Sequence, residues 1–200
     1  MDKLIGVFFV ALPYVALAIF IIGTVYRYYN QGYKVSSLST QIFESKILYW
    51  GSNAFHIGII MLFFGHLIGF LLPSTVLAWG GVPARIIPIE IGALGFAILS
   101  IFGLFTLLLR RLTNAAVLRT TSTMDIVIYT LLIVQVIAGI FVALFFKWGS
   151  LWFASSLAPY LKSIFIFSPD IMAVADMPWL IQLHVVLAFV WRKLPGLRFR

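Results

Sequence analysis

Residues 50–72 read WGSNAFHIGIIMLFFGHLIGFLL, a run that contains no Asp, Glu, Lys or Arg. At about 1.5 Å of rise per residue, a helix of this length crosses a hydrocarbon core of roughly 30 Å. The whole chain has the same character, because 62% of its 200 residues are hydrophobic and its mean hydropathy is +1.09. Soluble chains are only about 45–50% apolar. The stretch therefore predicts an α-helical integral membrane protein.

Other apolar runs extend this prediction to the whole chain. Three more runs are long enough to span a membrane: residues 4–26, 86–109 and 125–146. A shorter run covers residues 178–191. We predict one all-α membrane domain, residues 1–200, folded as a bundle of five transmembrane helices. The first run exceeds the apolar region of a signal peptide, which is about 7–15 residues long. We therefore expect it to be retained as the first helix.

The basic residues predict how the bundle is oriented. With the N-terminus outside, ten Lys and Arg residues fall on the cytoplasmic side: Arg27, Lys34, Lys46, Arg110, Arg111, Arg119, Arg192, Lys193, Arg198 and Arg200. Four fall outside: Lys3, Arg85, Lys147 and Lys162. Because positive charge accumulates in cytoplasmic loops, the count favours an outside N-terminus and a cytoplasmic C-terminus. Topology thus accounts for the net charge of +8, and we predict no nucleic-acid site.

Two connections carry further expectations. The polar residues 120–123 and Asp125 are suited to cap the fourth span. Residues 149–177 form the longest outward connection, and their apolar stretches are too short to cross a bilayer. We expect this segment to lie along the outer surface as an amphipathic element.

All three histidines, His56, His66 and His184, fall within predicted spans. A histidine that bonds a neighbouring helix is the structural alternative, but ionisable groups inside a membrane usually mark function. Carboxylates are scarce in the spans, with only Glu90 and Asp125 near helix ends. This scarcity argues against a proton relay, an ion-coupled transporter or a di-iron site. The chain has no cysteine, which excludes iron–sulfur ligation and disulfides. Imidazole without acidic or thiolate partners suits haem iron.

The spacing of the first two histidines limits how they can act. His56 and His66 are ten residues apart, which is about 15 Å of helix rise and about 80° of rotation. They cannot ligate one haem, but each can serve a separate haem. Gly58, Gly65 and Gly69 accompany them, and Gly65 with Gly69 forms a GxxxG pair that ordinarily indicates close helix packing. The functional alternative is a flat macrocycle lying where no side chain intrudes.

These residues resemble a known family. The stretch SNAFHIG at 52–58, followed by Gly65, His66 and Gly69, resembles the second helix of the gamma subunit of membrane-bound respiratory nitrate reductase. The similarity extends in the same order over about residues 8–191. Its further segments are Pro13-Tyr14, Gly23, Arg27-Tyr28, Arg110-Arg111-Leu112, Arg119-Thr120-Thr121 with Asp125, and QLHVVL at 182–187.

The resemblance implies a cytochrome b subunit with two b-type haems. His66 and His184 would be the axial pair of the outer haem, and His56 one ligand of the inner haem. Quinol would be oxidised near the outer face, with Gly65, His66 and Arg85 as candidate quinol-site residues. Electrons would pass to an iron–sulfur subunit and then to a molybdenum-containing catalytic subunit, both cytoplasmic. The implied location is the inner membrane of a prokaryotic cell, as a lipid-embedded multi-pass protein.

One departure from the family bears on His56. The second ligand of the inner haem would lie about eighteen residues after His184 on the same face of the fifth helix, which is beyond Arg200. The stretch WRKLPGLR at 191–198 does not resemble the expected continuation. We therefore expect this chain to hold an inner haem weakly, five-coordinate or not at all. Two alternatives stay open: a related cytochrome b anchor of another reductase complex, or a degenerate anchor with incomplete haem ligation.

Overall fold

The computed structural model describes residues 2–31 and 45–191, and all regular structure in these two ranges is helical. Two helices each contain a π-helical turn. The first, α1, covers residues 2–31 and includes the π-helical turn Val7–Ala11. The seventh, α7, covers residues 149–165 and includes the π-helical turn Phe153–Leu157. The others are α2 (Lys46–Leu71), α3 (Pro73–Gly80), α4 (Pro83–Thr113), α5 (Ala115–Arg119), α6 (Thr123–Phe145), α8 (Met172–Ala175) and α9 (Trp179–Trp191).

Four helices are long and apolar enough to cross a membrane, which confirms four of the predicted spans. They are Leu4–Asn30, Lys46–Leu71, Pro83–Thr113 and Thr123–Phe145. Many of their large apolar side chains face outward, such as Ile22 at 67% exposed and Phe63 at 59% exposed. Outward-facing apolar side chains of this kind suit a hydrocarbon solvent and not water.

The fifth predicted span is a helix, α9, but it is short. Its 13 residues rise about 20 Å, whereas the hydrocarbon core is roughly 30 Å thick. The described part of the chain therefore has four candidate spans and one shorter apolar helix. The predicted cytoplasmic residues Lys34, Arg192, Lys193, Arg198 and Arg200 lie outside the described residues, as does nearly all of the 191–198 stretch.

Local sequence chemistry sets where these helices begin. Pro73 and Pro83 occupy the first turns of α3 and α4, where a missing N–H costs nothing. The expected cap of α6 is confirmed as a capping box, in which the Ser122 hydroxyl accepts from the Asp125 N–H and the Asp125 carboxylate accepts from the Ser122 N–H. Arg111 at the end of α4 also pairs with this carboxylate at 3.2 Å. The ion pair between Arg111 and the capping residue Asp125 thus joins the end of α4 to the start of α6.

Glycines bring α2 and α4 together, although not the pair that the GxxxG spacing indicated. A Cβ added to Gly58 would meet the Phe96 carbonyl at 2.6 Å, and one added to Gly103 would meet the Gly51 carbonyl at 2.7 Å. A Cβ on Gly65, in contrast, would have nothing within 4 Å. Gly69 does not face α4, because its missing side chain leaves room for Phe153 of α7. Close α2–α4 packing therefore belongs to Gly51, Gly58 and Gly103.

Residues 149–177 contribute one buried face to the core. Tyr160 and Val174 are fully buried, and with Leu157, Ile164 and Met177 they form a core against α1 and α9. The segment is amphipathic as expected, because this face of α7 packs in the core while Phe165 is 56% exposed. Its position along the outer surface of the membrane stays a prediction.

Two tyrosines explain why α7 is buried against α1. The Tyr160 hydroxyl donates to the Phe9 carbonyl, in the π-helical turn of α1, at 2.7 Å. In return, the Tyr14 hydroxyl of α1 donates to the Ile164 carbonyl of α7 at 3.2 Å. Burial raises the pKa of the Tyr160 phenol far above its ordinary value, so that hydroxyl remains a donor at physiological pH.

Candidate functional site

His56 and His66 have the same local hydrogen bond on α2. The Nδ1 of His56 lies 2.7 Å from the Ser52 carbonyl, and the Nδ1 of His66 lies 2.7 Å from the Leu62 carbonyl. A carbonyl oxygen only accepts, so the proton in each bond is on Nδ1. In the neutral imidazole, Nε2 then carries the free lone pair and points away from the helix backbone. A metal-ligating histidine is usually oriented in this way.

His184 is held differently, on α9 against α6. A Cβ added to Gly139 of α6 would lie 2.9 Å from Cε1 of His184, so the imidazole sits directly against the α6 backbone. The Nδ1 of His184 is buried and makes no hydrogen bond of good geometry among the described residues, although the Gln135 backbone lies close to the imidazole. The nearby Gln135 side chain has the same deficit at Oε1. Unpaired buried polar atoms are costly, which makes this part of the bundle a candidate for ligand contact.

The structure places His66 within electrostatic range of His184 and His56 farther along α2. The main packing partners of α9 are α6 and α1, so the two histidines approach each other from helices that are not primary packing partners. His56 lies on the same continuous helix as His66, about 15 Å away along its axis. One pair and one separate histidine result.

Of the candidate quinol-site residues, Gly65 lies beside His66 and Arg85 contacts Trp79 instead. Gly65 is adjacent to His66, and the space where its side chain would be is open to 4 Å. Arg85 is exposed in the first turn of α4, where its guanidinium lies 5.1 Å from the centroid of the Trp79 ring. That cation–π contact is typical of an interfacial arginine. Among the described residues, its contact is with Trp79 and not with His66.

Sequence reasoning missed two residues that contact the histidines. Phe153 of α7 meets the His66 ring edge-on, with centroids 5.4 Å apart and an interplanar angle of 90°. Gly139 supports the His184 ring from α6. Neither residue has a local signal, because a phenylalanine in an apolar segment and a glycine in an apolar helix are common. Only the tertiary contacts identify them.

The residues present fit axial ligation of a haem iron. The two imidazoles lie within electrostatic range of each other. His66 has its Nδ1 held by the Leu62 carbonyl, and His184 has a buried Nδ1 that makes no side-chain hydrogen bond. The open face of Gly65 adjoins the first of them. Haem needs only axial ligands from the protein, because the porphyrin supplies the other four nitrogens. No group of three or more His, Asp or Glu side chains lies together in the described part of the chain.

Comparison with known proteins points to a single family. Residues 6–194 match the profile of the family described as nitrate reductase gamma subunit. The chain is 32% identical over 183 residues to the nitrate reductase gamma chain of Bacillus subtilis, covering 90% of this chain and 82% of that protein. It is 35% identical over 143 residues to the respiratory nitrate reductase 2 gamma chain of Escherichia coli, covering 70% and 63%.

A longer relative also matches. The nitrate reductase-like protein NarX of Mycobacterium tuberculosis is 26% identical over 191 residues, which cover 93% of this chain and 29% of that protein. The matched region therefore occurs both as most of a gamma chain and as less than a third of a larger protein.

Proposed function

This chain belongs to the nitrate reductase gamma subunit family, and from that premise we propose that it is the quinol-oxidising cytochrome b subunit of a respiratory nitrate reductase. Family membership makes it a membrane anchor and a subunit of an oxidoreductase complex. The proposal adds that it takes electrons from quinol and delivers them to the other subunits. The observation that carries it is the placement of two membrane histidines within electrostatic range of each other, His66 fixed by the Leu62 carbonyl and His184 packed on Gly139 of α6.

In this proposal, His66 and His184 would hold the outer b-type haem, which when bound would supply reversible one-electron redox chemistry. The Leu62 carbonyl holds His66 with Nε2 free, and Gly139 sets how deeply the His184 ring sits. His56 is the ligand proposed for an inner haem, held by the Ser52 carbonyl. Within these 200 residues there is no fourth histidine to pair with it.

Quinol is proposed to bind beside His66. Gly65 leaves the helix surface open at this point, and a planar head group needs such an approach to come close to the ligand. Arg85 is the basic residue that the sequence places nearest to His66 on that side of the membrane, and it would donate to a quinol oxygen. Its contact with Trp79 favours the alternative that it only anchors α4 at the interface. Substitution separates these two roles.

The proposed partners follow from the family and from the charges. The end of the bundle that carries Arg111 and Arg119 would face the cytoplasm, with the N-terminus outside. There it would bind an iron–sulfur subunit, which passes electrons to a molybdenum-containing subunit where nitrate is reduced. The protein would be a multi-pass protein of a prokaryotic inner membrane, surrounded by lipid through the exposed apolar side chains of its spans.

The test is to purify the protein with its partners and add quinol anaerobically. We expect a b-type reduced-minus-oxidised spectrum that quinol produces and that nitrate reverses. A complex without haem would identify a degenerate anchor and contradict the proposal. Haem that quinol reduces, in a complex lacking a nitrate-reducing subunit, would identify the anchor of another reductase.

A further inference from the structure

The contact between Phe153 and His66 is unusual in what it joins. The two rings meet at right angles with centroids 5.4 Å apart, the edge-to-face arrangement that aromatic pairs favour. The Leu62 carbonyl already fixes the Nδ1 edge of His66. One hydrogen bond still permits the ring plane to tilt about the bond direction. A second contact from a rigid ring on another helix removes that freedom.

Gly69 makes room for this contact. It lies three residues after His66, and therefore on the same side of α2. A Cβ there would be 2.8 Å from Cδ1 and 2.9 Å from Cε1 of Phe153, closer than carbon atoms approach without displacement. Any residue other than glycine would push the Phe153 ring away. This is a second, independent sign that α2 is shaped to receive that ring.

The backbone of α7 is irregular at the same residue. Phe153 begins the π-helical turn Phe153–Leu157. Such turns are rare in proteins, and those that occur are often at functional sites. Just before α7, Trp148 has a positive φ of 63°, a conformation that costs a non-glycine residue energy. The widened turn leaves Leu157 and Tyr160 in the core against α1 while Phe153 contacts α2.

We propose that Phe153 is a positioning residue for His66. Its ring, delivered by the π-helical turn of α7 into the space left by Gly69, sets the plane of the His66 imidazole. This inference rests on the proposed function, in which His66 is an axial haem ligand. The plane of an axial imidazole is one of the outer-shell features by which a protein tunes its metal. Phe153 therefore tunes the outer haem without touching the iron.

The chain provides a matched control for ordinary packing. Phe165 lies on the same helix as Phe153 and contacts Phe70 of α2, with centroids 5.9 Å apart. It joins the same two helices, and its ring contact is with a phenylalanine and not with a histidine. Replacing either phenylalanine by leucine removes one α2–α7 aromatic contact. Only the Phe153 change should reach the haem.

The experiment compares Phe153→Leu, Phe153→Tyr, Phe165→Leu and Gly69→Ala in the full complex, by electron paramagnetic resonance and redox titration. We expect Phe153→Leu and Gly69→Ala to shift the low-spin g values and midpoint potential of the outer haem. Phe153→Tyr, which keeps the ring, and Phe165→Leu should leave both as in the parent. Haem content should stay close to that of the parent in all four, because the Leu62 carbonyl still holds His66 and none of the changed residues lies against the His184 ring.

The double variant Gly69→Ala with Phe153→Leu distinguishes loss of the ring contact from general misfolding. Gly69→Ala acts by displacing the Phe153 ring, so it should have little further effect once that ring is absent. The proposal would be overturned if Gly69→Ala shifted the g values and midpoint potential equally in the parent and in Phe153→Leu. Unchanged g values and potential in Phe153→Leu would also overturn it. Absence of haem from the parent complex would instead refute the proposed function, which separates the two failures.

Discussion

His56 and His66 lie on one helix with the same hydrogen bond to the carbonyl four residues earlier, yet their surroundings differ. His66 contacts the ring of Phe153 from α7 and lies within electrostatic range of His184 from α9. The ring neighbour of His56 is Phe55, the adjacent residue of α2. Helix geometry therefore prepares both imidazoles equally as ligands. What separates a complete pair from a single histidine is the set of distant residues that the fold brings to each.

The largest expected effect comes from crowding the complete pair. Gly139→Ala places a Cβ 2.9 Å from Cε1 of His184, so the imidazole must move away from α6. Loss of ligand support typically costs about 10–100-fold in metal affinity, and we expect a loss of that order in haem retention at the outer site. Haem content after detergent washing measures it.

Gly95→Ala is the matched control for that change. Gly95 lies in α4, and a Cβ there would have nothing within 4 Å. Alanine also favours a helix over glycine by about 1 kcal/mol, so this variant should retain the parent amount of haem. Equal haem loss in the two variants would show that Gly139 does not support His184 specifically.

A smaller effect is expected beyond the histidines, at the proposed quinol site. If Arg85 donates to quinol, Arg85→Ala removes a charged hydrogen bond of about 1.5–3 kcal/mol, which corresponds to a KM for quinol raised about tenfold or more. The haem spectrum should not change. Steady-state quinol oxidation measures the KM. Lys162→Ala, an exposed cation of α7, is the control that should leave it unaltered.

An unchanged KM in Arg85→Ala would assign this residue to the interface. Its position over Trp79 would then be its whole role, and the quinol site would be reduced to Gly65 and His66.

The smallest effect is expected at the single histidine. Because His56 has no second histidine to pair with in these residues, His56→Ala should leave the low-spin signal of the outer haem unchanged. The parent should contain about one tightly bound six-coordinate haem per chain. A haem-to-protein ratio of about two in the parent, falling to about one in His56→Ala, would show that another residue or subunit completes the inner site.

Much of the fold was predictable because its signals are local. Apolar length placed four spans within a few residues of their observed bounds, and Ser122 with Asp125 announced the start of α6. The burial of α7 was not predictable, because it depends on the Tyr160 hydroxyl reaching the Phe9 carbonyl, which is 151 residues away in the sequence. The histidines were identified by their cost inside a membrane. Phe153 and Gly139 were not, because only the fold brings them to those histidines.

The central claim is that His66 and His184 form one centre. The direct test is the low-spin haem signal of His66→Ala, His184→Ala and the double variant, measured by electron paramagnetic resonance with His56→Ala as the control. The account predicts that each single variant loses the same signal, that the double variant loses nothing further, and that His56→Ala retains it. Persistence of the signal in either single variant, or loss of different signals in the two, would contradict the claim.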